Sequence, residues 1–556
     1  MISMKKKIAI GDSDFKSLLT RDCYYVDKTL YIKRILDNSS SVALVTRPRR
    51  FGKTLNMSML RYFFDITKDS KDLFADKKIM QESEEYTSKL NSYPVIYLTM
   101  KSVTDSSYEN MILAMKTAVM SMYKEHRYLL DSDKVFEEEK ERIKNILWAR
   151  ENIEDLKVSM LELSEYLCRY YDKKVILLID EYDVPIQNAY VSGYYDQAIK
   201  FFKTFFGTTF KDNPYIEKTV LTGVSRVAKE SLFSGANNFD VYTVLTDEFT
   251  EDFGITKEEM KKVITDFEIQ DDEEELKRWY DGYKIGNTEN IYNPWSVLNY
   301  LAKGELKPYW VNTSSNDLIK LILKNSVVVK EKIEELLQGR EIEVAINEET
   351  IINGIERNEN NIWGLLLGTG YLKVTELVDR NIYKVAIPNY EIKYLFEEII
   401  DNWFYDKVPM NDLRSILKDL TTKNFEEFEL KFERLVREMF SFMDVGENTA
   451  ENFYHAFVLG MLVGLKDTYY VNSNRESGMG RYDIMLEPKD KTANSFIMEF
   501  KICRQPGEEG IKKAIEEAMK QIENKKYEVS LKERGFNNIT KMVFAFSGKN
   551  VKMKVY

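Results

Sequence analysis

Short apolar runs alternate with longer segments of helical spacing along the first half of the chain. The runs are "SVALVT" (41–46), "YPVIYLTM" (93–100), residues 175–179 and "KTVLTGVSR" (218–226). Between them, apolar residues three or four positions apart, such as Leu55, Met59 and Phe63, predict helices. Strands of this kind that alternate with helices are typical of a parallel sheet covered on both faces. The pattern therefore predicts an α/β fold for the N-terminal domain.

The pattern changes further along the chain. Residues 246–345 show helical spacing on an acidic background, and "IWGLLLGTGYLKV" followed by "RNIYKVAIPNYEIKYLFEEII" predicts helix, β-hairpin and helix. The latter is either a winged-helix module or a compact linking domain. Near the C-terminus, "RYDIML" and "SFIMEFK" alternate as strands of an α/β domain. We place the domains at 1–245, 246–345, 346–440 and 441–556.

Composition and charge narrow the class of protein. The chain has 556 residues, too many for one core. Its net charge of −11 excludes a surface that is basic throughout, so any nucleic-acid groove must be local. The three scattered cysteines favour neither a zinc site nor a disulfide framework. With no apolar segment long enough to span a membrane, we expect a cytoplasmic protein without membrane contact.

The segment "TRPRRFGKTL" (46–55) ends like a phosphate-binding loop but has Arg47 in place of the first glycine of G-x-x-x-x-G-K-[ST]. A strand precedes it and a helix follows, as such a loop requires. Gly52 lets the main chain approach a phosphate, Lys53 reaches the β- and γ-phosphates, and Thr54 is a ligand for Mg²⁺. Arg49 and Arg50 are either further phosphate donors or part of a solvated turn.

Two other strands end in the residues that a nucleotide site needs. Asp180 and Glu181 follow the run 175–179, and we expect Asp180 to hold Mg²⁺ and Glu181 to orient the attacking water. The strand "KTVLTGVSR" ends in Thr222, Ser225 and Arg226, a polar cluster suited to sensing a γ-phosphate. The sequence therefore predicts binding of ATP with Mg²⁺.

These residues carry a resemblance. "YYVDKTLYIKRIL" (24–36), "RPRRFGKTL", "LLIDEYDVPI" and "LTGVSRVAKESLFSGANN" resemble the AAA-ATPase-like family of P-loop proteins, in which the arginine-proline loop is usual. The resemblance implies a helical lid over 246–345 and places residues 25–29 near the nucleotide. Arg226 would act within its chain or, in a homo-oligomer, across a subunit interface. The predicted nucleotide-binding residues are Arg47, Pro48, Arg49, Arg50, Phe51, Gly52, Lys53, Thr54, Leu55, Asp180 and Arg226.

A second candidate site lies in the two C-terminal strands. Glu499 and Lys501 are two positions apart in "SFIMEFK" and therefore share a face, and a hairpin would bring Asp483 beside Glu499. Alone, this E-x-K pattern is also compatible with a surface ion pair. The carboxylate pair would bind Mg²⁺, and Lys501 would orient a hydrolytic water, which is the chemistry of phosphodiester hydrolysis.

The C-terminal segment resembles the PD-(D/E)XK nuclease superfamily. The resemblance assigns catalytic roles to Asp483, Glu499, Lys501 and Gln521, with Tyr482 in place of the usual proline. Of the two histidines, His126 is expected at the surface and His455 in a structural role or at the nuclease mouth. The sequence thus predicts an ATPase joined to a Mg²⁺-dependent nuclease acting on nucleic acid, with DNA as the expected substrate. The alternative is a non-hydrolytic ATP-binding switch whose C-terminal domain only binds nucleic acid or a protein.

Overall fold

The computed structural model describes most of the chain in two compact units. Described are residues 7–226, 232–233, 239–269, 273–311, 327–337, 339–348, 359–405, 410–441, 458, 461–462, 464–465, 467–473, 476–477, 480–481, 483–503, 507–547 and 550–556. His455 lies outside them. The first unit comprises Met1–Asn325 and Glu341–Lys393, and the second comprises Ser326–Arg340 and Tyr394–Tyr556. Within these described ranges, no helix is long and apolar enough to cross a membrane.

A five-stranded parallel sheet forms the centre of the first unit. Its strands are β1 (Val42–Thr46), β2 (Val95–Thr99), β3 (Val175–Asp180), β4 (Ile216–Gly223) and β5 (Phe239–Tyr242). They lie in the order β2-β3-β4-β1-β5, and all pairs are parallel. Since β4 lies between β1 and β3, the carboxyl ends of all three meet at one edge, where ligands bind in such sheets. The predicted α/β fold is confirmed, with strand bounds within about two residues for the first three runs.

Helices cover this sheet because their apolar faces need burial. The α-helices up to β5 are Phe15–Thr20, Leu30–Asp37, Lys53–Phe64, Lys71–Phe74, Glu84–Thr87, Tyr108–Lys124, Glu137–Leu147, Ile153–Tyr171, Val184–Val191 and Tyr195–Phe210, with 3-10 helices at Lys78–Gln81 and Arg127–Asp131. Phenylalanines 201, 202, 205 and 206 are all buried and bring one helix against the sheet. His126 is only 5% exposed, so the prediction that it lies at the surface is wrong: its ring packs beside Tyr128.

The rest of the first unit is not purely helical. Helices Lys257–Asp266, Glu273–Tyr280 and Pro294–Lys303 flank a hairpin of β6 (Tyr283–Ile285) and β7 (Thr288–Ile291) that the sequence pattern did not indicate. The predicted helix, hairpin and helix are present as Glu359–Thr369, β9 (Lys373–Asp379) with β10 (Ile382–Ala386), and Tyr390–Tyr405. A further strand, β8 (Ile342–Ala345), pairs with β10.

The second unit contains a mixed sheet, as expected of the predicted α/β C-terminal domain. Its strands β11 (Tyr469–Ser473), β14 (Ile484–Pro488), β15 (Ser495–Ile502), β16 (Ile539–Ser547) and β17 (Asn550–Val555) lie in the order β11-β14-β15-β16-β17. A small pair joins β12 (Glu476–Ser477) to β13 (Gly480–Arg481). The helices are Val327–Leu337, Met410–Thr421, Phe425–Ser441, Glu508–Lys525 and Val529–Glu533. Two apolar clusters bury the two faces of the sheet.

Candidate functional site

The loop between β1 and helix Lys53–Phe64 turns without its first glycine. Arg50 and Gly52 both have positive φ, of 67° and 86°, so the two left-handed positions that make the turn lie late in the loop. Lys53 begins the helix, is 6% exposed, and its Nζ donates to the carbonyl oxygens of Arg47 (3.0 Å) and Pro48 (2.8 Å). Burial lowers the pKa of Lys53 to about 8, against the opposing effect of nearby carboxylates. The lysine is therefore held inside the loop, where phosphate oxygens could replace the two carbonyls.

Arg47 does not face the interior of the loop. Its side chain is fully buried, and its guanidinium donates to five main-chain carbonyls at 2.8 to 3.1 Å: those of Thr46, Tyr242, Thr243, Glu248 and Phe249. It also lies over the Phe253 ring. In this geometry the guanidinium links β1 to the end of β5 and to the turn that follows. Contact between Arg47 and a nucleotide stays a prediction.

The outer side of the loop is held by residues from far along the chain. The Arg49 carbonyl accepts a hydrogen bond from Trp310 Nε1 (2.9 Å), and the Arg50 guanidinium lies 4.2 Å over the Trp295 ring. The Phe51 ring is buried edge-on against Tyr283. The Pro48 ring abuts Gly370, where an added Cβ would come within 2.8 Å of it; Leu55 is half-buried in the first turn of the helix.

Asp180 joins the loop to two strands. It is fully buried, and its Oδ2 accepts from Thr54 Oγ1 (2.8 Å) while its Oδ1 accepts from Thr222 Oγ1 (2.6 Å). Burial raises the pKa of Asp180, and the two hydroxyls oppose that change. The structure thus brings together Lys53, Thr54 and Asp180, three predicted site residues.

Glu181 and Arg226 follow the ends of β3 and β4, the strands that carry Asp180 and Thr222. Glu181 has φ of +56° and is half-buried; burial first, and then the Asp180 charge, raise the pKa of its carboxyl. Arg226 follows the end of β4 by three residues and is half-buried. The segment 25–29 bonds elsewhere: Lys28 Nζ donates to Glu259 at 2.6 Å, so a place for this segment near the nucleotide stays a prediction.

The residues at this edge of the sheet fit a nucleotide with Mg²⁺. Lys53 is buried, and its present acceptors are main-chain carbonyls. It stands at the start of a helix that follows a left-handed glycine, so it can donate hydrogen bonds to phosphate oxygens. A threonine hydroxyl within hydrogen-bond distance of a buried aspartate provides oxygen ligands of the kind Mg²⁺ prefers.

The second candidate site forms in an antiparallel hairpin. Strands β14 and β15 pair with Ile484 opposite Met498, which places Asp483 beside Glu499 as the sequence predicted. Asp483 Oδ2 accepts from the Phe500 amide (2.8 Å), which fixes its carboxylate against the partner strand. Gln521, from helix Glu508–Lys525, donates to Glu499 Oε1, and Lys501 Nζ lies 3.6 Å from the same oxygen. All four predicted residues therefore meet at one place.

Glu499 carries the unusual electrostatics of this hairpin. Its side chain is fully buried, whereas that of Lys501 is 26% exposed and can reach solvent. Burial first, and then the neighbouring Asp483 carboxylate, raise the pKa of Glu499 well above its usual value; Lys501 opposes the shift. Its Oε2 is buried without a hydrogen-bond partner among the described residues. Such an orphaned oxygen is costly unless a ligand occupies it.

The pair fits a divalent cation. Among the residues that the structure describes, no group of three or more His, Cys, Asp and Glu side chains is arranged for a metal. Mg²⁺, however, is usually bound by one or two carboxylates, with waters and substrate oxygens completing its shell. Asp483 and the unpaired Oε2 of Glu499 supply such carboxylates.

Sequence reasoning missed two residues in these sites. Asp183 is fully buried and accepts hydrogen bonds from the main chain after β4; the repeated acid in "IDEYD" was a signal for it. Tyr527 is 1% exposed, and its hydroxyl accepts from Gln521 Nε2 at 3.2 Å, so it helps orient that amide. No spacing rule applied to the sequence pointed to this tyrosine.

The fold and the two sites define the class: a P-loop nucleotide-binding domain and a nuclease-like α/β domain on one chain. Comparison with known families agrees. Residues 9–233 match the family model described as "Predicted AAA-ATPase", and residues 449–556 match the model described as "PD-(D/E)XK nuclease superfamily". These two matches confirm both resemblances, the first for the N-terminal domain and the second for the C-terminal domain.

The chain is also similar to a protein whose match extends beyond either domain alone. A protein from Azotobacter chroococcum mcd 1, described as "Uncharacterized protein in vnfD 5'region", is 24% identical over 401 residues. The similarity covers 71% of this chain and 70% of the relative.

Proposed function

We propose that the protein is an ATPase whose nucleotide state governs Mg²⁺-dependent cleavage of nucleic acid, with DNA as substrate. The observation that carries the proposal is the presence of two assembled sites on one chain: Lys53 with Thr54 and Asp180, and Asp483 with Glu499 and Lys501. A protein that only bound nucleotide and nucleic acid would have no chemical need for Lys501 beside the carboxylate pair.

In the nuclease domain, each side chain has a role in phosphodiester hydrolysis. A cation held by Asp483 and Glu499 would polarise a phosphoryl oxygen and lower the pKa of a bound water. The Phe500 amide and the Gln521 side chain keep the two carboxylates in place. Lys501, partly open to solvent, orients the attacking water through its ammonium group and stabilises the negative charge that develops on the phosphate.

In the ATPase domain, Lys53 would leave the carbonyls of Arg47 and Pro48 for the β- and γ-phosphates. Thr54 and Asp180 would hold Mg²⁺, and Glu181 would orient the hydrolytic water. Arg226 would stabilise charge on the γ-phosphate, either in its own chain or across a homo-oligomer interface. For the nucleotide state to control cleavage of nucleic acid, ATP must bind one arrangement of the domains more tightly than another. Defence against foreign DNA, mobile-element activity and repair are roles that such a coupled nuclease would suit.

The test is cleavage of linear, circular and single-stranded DNA by the purified protein with Mg²⁺, with and without ATP. We expect Lys501→Ala to lower cleavage by about 10²- to 10⁴-fold and Lys53→Ala to remove the effect of ATP. Lys491→Ala, in the turn at the far end of the same hairpin, and the exposed Lys124→Ala are matched controls that should cleave as the wild type does.

Two results would contradict the proposal in different ways. Cleavage that survives Asp483→Ala would reject the nuclease assignment. ATP-dependent cleavage that persists in Glu181→Gln, with phosphate release abolished, would show that ATP binding is sufficient and would favour the non-hydrolytic switch for the N-terminal domain.

A further inference from the structure

Asp183 is a buried carboxylate that bonds a neighbouring strand with one oxygen. It lies between the turn after β3 and helix Val184–Val191, and none of its surface is exposed. Its Oδ2 accepts from the amides of Val224 (3.0 Å) and Ser225 (2.8 Å), from Ser225 Oγ (2.9 Å) and from Gln187 Nε2 (2.7 Å). Hydrogen bonds to a charged oxygen are about twice as strong as neutral ones. The segment that leads to Arg226 is therefore anchored on this carboxylate.

Other contacts join the same two segments. The Tyr182 amide donates to the Thr222 carbonyl (3.1 Å), and the Tyr182 hydroxyl donates to the Ser225 carbonyl (2.8 Å). Gln187 Nε2 also reaches Ser225 Oγ at 3.1 Å. The turn that carries Asp180 and Glu181 and the end of β4 thus form one hydrogen-bonded network, in which the Asp183 carboxylate accepts four bonds.

The second oxygen of Asp183 has a different environment. Oδ1 is buried without a hydrogen-bond partner in the described part of the chain. It lies against Gly223, where an added Cβ would come within 2.8 Å of it and within 2.6 Å of the Tyr182 ring. The Gly223 carbonyl in turn accepts from the amide of Arg47, the residue after β1 (3.1 Å). Asp183 is therefore placed where the ends of β1, β3 and β4 converge.

The same carboxylate acts on the phosphate-binding lysine. Of the charges that raise the pKa of Lys53 against the larger lowering effect of burial, Asp183 is the strongest, ahead of Glu181 and Asp180. Glu181 and Asp180 act on the pKa of Lys53 in the same direction, so the lysine keeps two carboxylate neighbours when Asp183 is replaced, whereas the hydrogen bonds from Val224 and Ser225 to the carboxylate are lost.

We propose that Asp183 is a positioning residue for ATP hydrolysis: it locks the end of β4, from Thr222 to Arg226, to the acidic turn after β3, so that the strand end faces the γ-phosphate. The inference rests on the proposed ATPase function. A displaced strand end would leave nucleotide binding by Lys53 and the loop intact but misplace the groups that stabilise the transition state, and small misplacements of this kind slow catalysis strongly.

The experiment compares steady-state ATP hydrolysis with affinity for a non-hydrolysable ATP analogue. Asp183→Asn keeps one acceptor for the Val224 and Ser225 amides but lacks the charge, and Asp183→Ala lacks both. We expect kcat to fall about 10-fold in Asp183→Asn and about 100-fold in Asp183→Ala, with the Kd for the analogue changed less than about threefold. Asp172→Asn, the same substitution at an exposed position just before β3, is the matched control and should match the wild type.

The outcomes are distinguishable. Wild-type turnover in both Asp183 variants, or a rise in Kd with unchanged kcat, rejects this inference but not the proposed ATPase function. If the wild-type chain binds ATP but releases no phosphate, ATP hydrolysis is rejected, and the inference with it. If both variants fail to fold, Gln187→Ala tests the inference instead, because it removes two hydrogen bonds of the network around Asp183 and leaves Asp183 in place. A kcat about threefold lower at unchanged Kd supports the proposal, and an unchanged kcat overturns it.

Discussion

The two sites differ in how far along the sequence their supporting contacts reach. In the nuclease hairpin, Asp483 is fixed by an amide 17 residues away and Glu499 by an amide side chain 22 residues away. In the phosphate-binding loop, Arg47 bonds carbonyls up to 202 residues away, and the Arg49 carbonyl is held by Trp310 at a separation of 261 residues. The first site is built by local strand register, whereas the second depends on packing of the whole unit. A ligand in the loop would therefore act on segments that lie far apart in the sequence.

The largest effect expected from this comparison is on nuclease activity alone. Glu499→Gln keeps the size of the side chain and removes a charge that burial disfavours, so stability should not fall. Cleavage should drop by about 10²- to 10⁴-fold because a metal ligand is lost. The measurement is the DNA cleavage rate beside a urea unfolding curve. A large loss of stability in this variant would contradict the prediction, because it would show that the folded hairpin depends on the Glu499 carboxylate.

Arg47→Ala, in the phosphate-binding loop, should lower stability, whereas Glu499→Gln should not. Five main-chain carbonyls would lose a donor, and each buried polar group left unpaired costs about 1–3 kcal/mol. We expect a loss of several kcal/mol in the free energy of unfolding, measured with urea, and loss of ATP binding as a consequence. Arg47→Lys should recover only part of it, since one ammonium cannot span the five acceptors. A variant with wild-type stability and weak ATP binding would instead assign Arg47 to the nucleotide.

The same contrast explains what could be predicted from sequence. The pairing of Asp483 with Glu499 followed from strand alternation and one turn, since register is fixed by the alternating pattern. The place of Thr54 beside Asp180 followed from strands whose carboxyl ends share an edge. The hydrogen-bond partners of Arg47 could not be predicted, because they are main-chain carbonyl oxygens, which every residue has. Asp183 was missed for a related reason: two of its four donors are main-chain amides of a strand end 41 and 42 residues away.

A buried carboxyl group, Glu391, should make the stability of the first unit depend on pH. Its oxygens accept from the Trp310 amide (2.6 Å) and Ser296 Oγ (2.8 Å), and burial raises its pKa to about 8. The titratable groups that face it are Tyr280 and Tyr283, whose own pKa values burial raises above the usual range, so both stay neutral. Glu391 thus supports Trp310, the residue that holds the loop.

The sign of this dependence follows from the raised pKa. Between about pH 4.3, the pKa of an unfolded glutamate, and pH 8, the folded chain keeps a proton that the unfolded chain has lost. The contribution of Glu391 is therefore complete below about pH 4.3 and is lost as the pH rises to 8, by at most about 1.4 kcal/mol per pH unit. Urea unfolding from pH 5 to 8 should show a smaller decline in Glu391→Gln than in the wild type; parallel curves would contradict the prediction.

The smallest effect should come from a single hydrogen bond between distant segments. Trp310→Phe keeps an aromatic ring against Tyr371 but removes the Nε1–H that donates to the Arg49 carbonyl. One such bond contributes about 0.5–1.5 kcal/mol. We expect a loss of stability of that size, with a further weakening of ATP binding because the loop is less well held. Trp295→Phe is the matched variant: it removes a bond to Tyr309, outside the loop, and keeps a ring for Arg50. If the two variants bind ATP equally well, the distant hydrogen bond does not shape the loop, and the contrast between the two sites rests on Arg47.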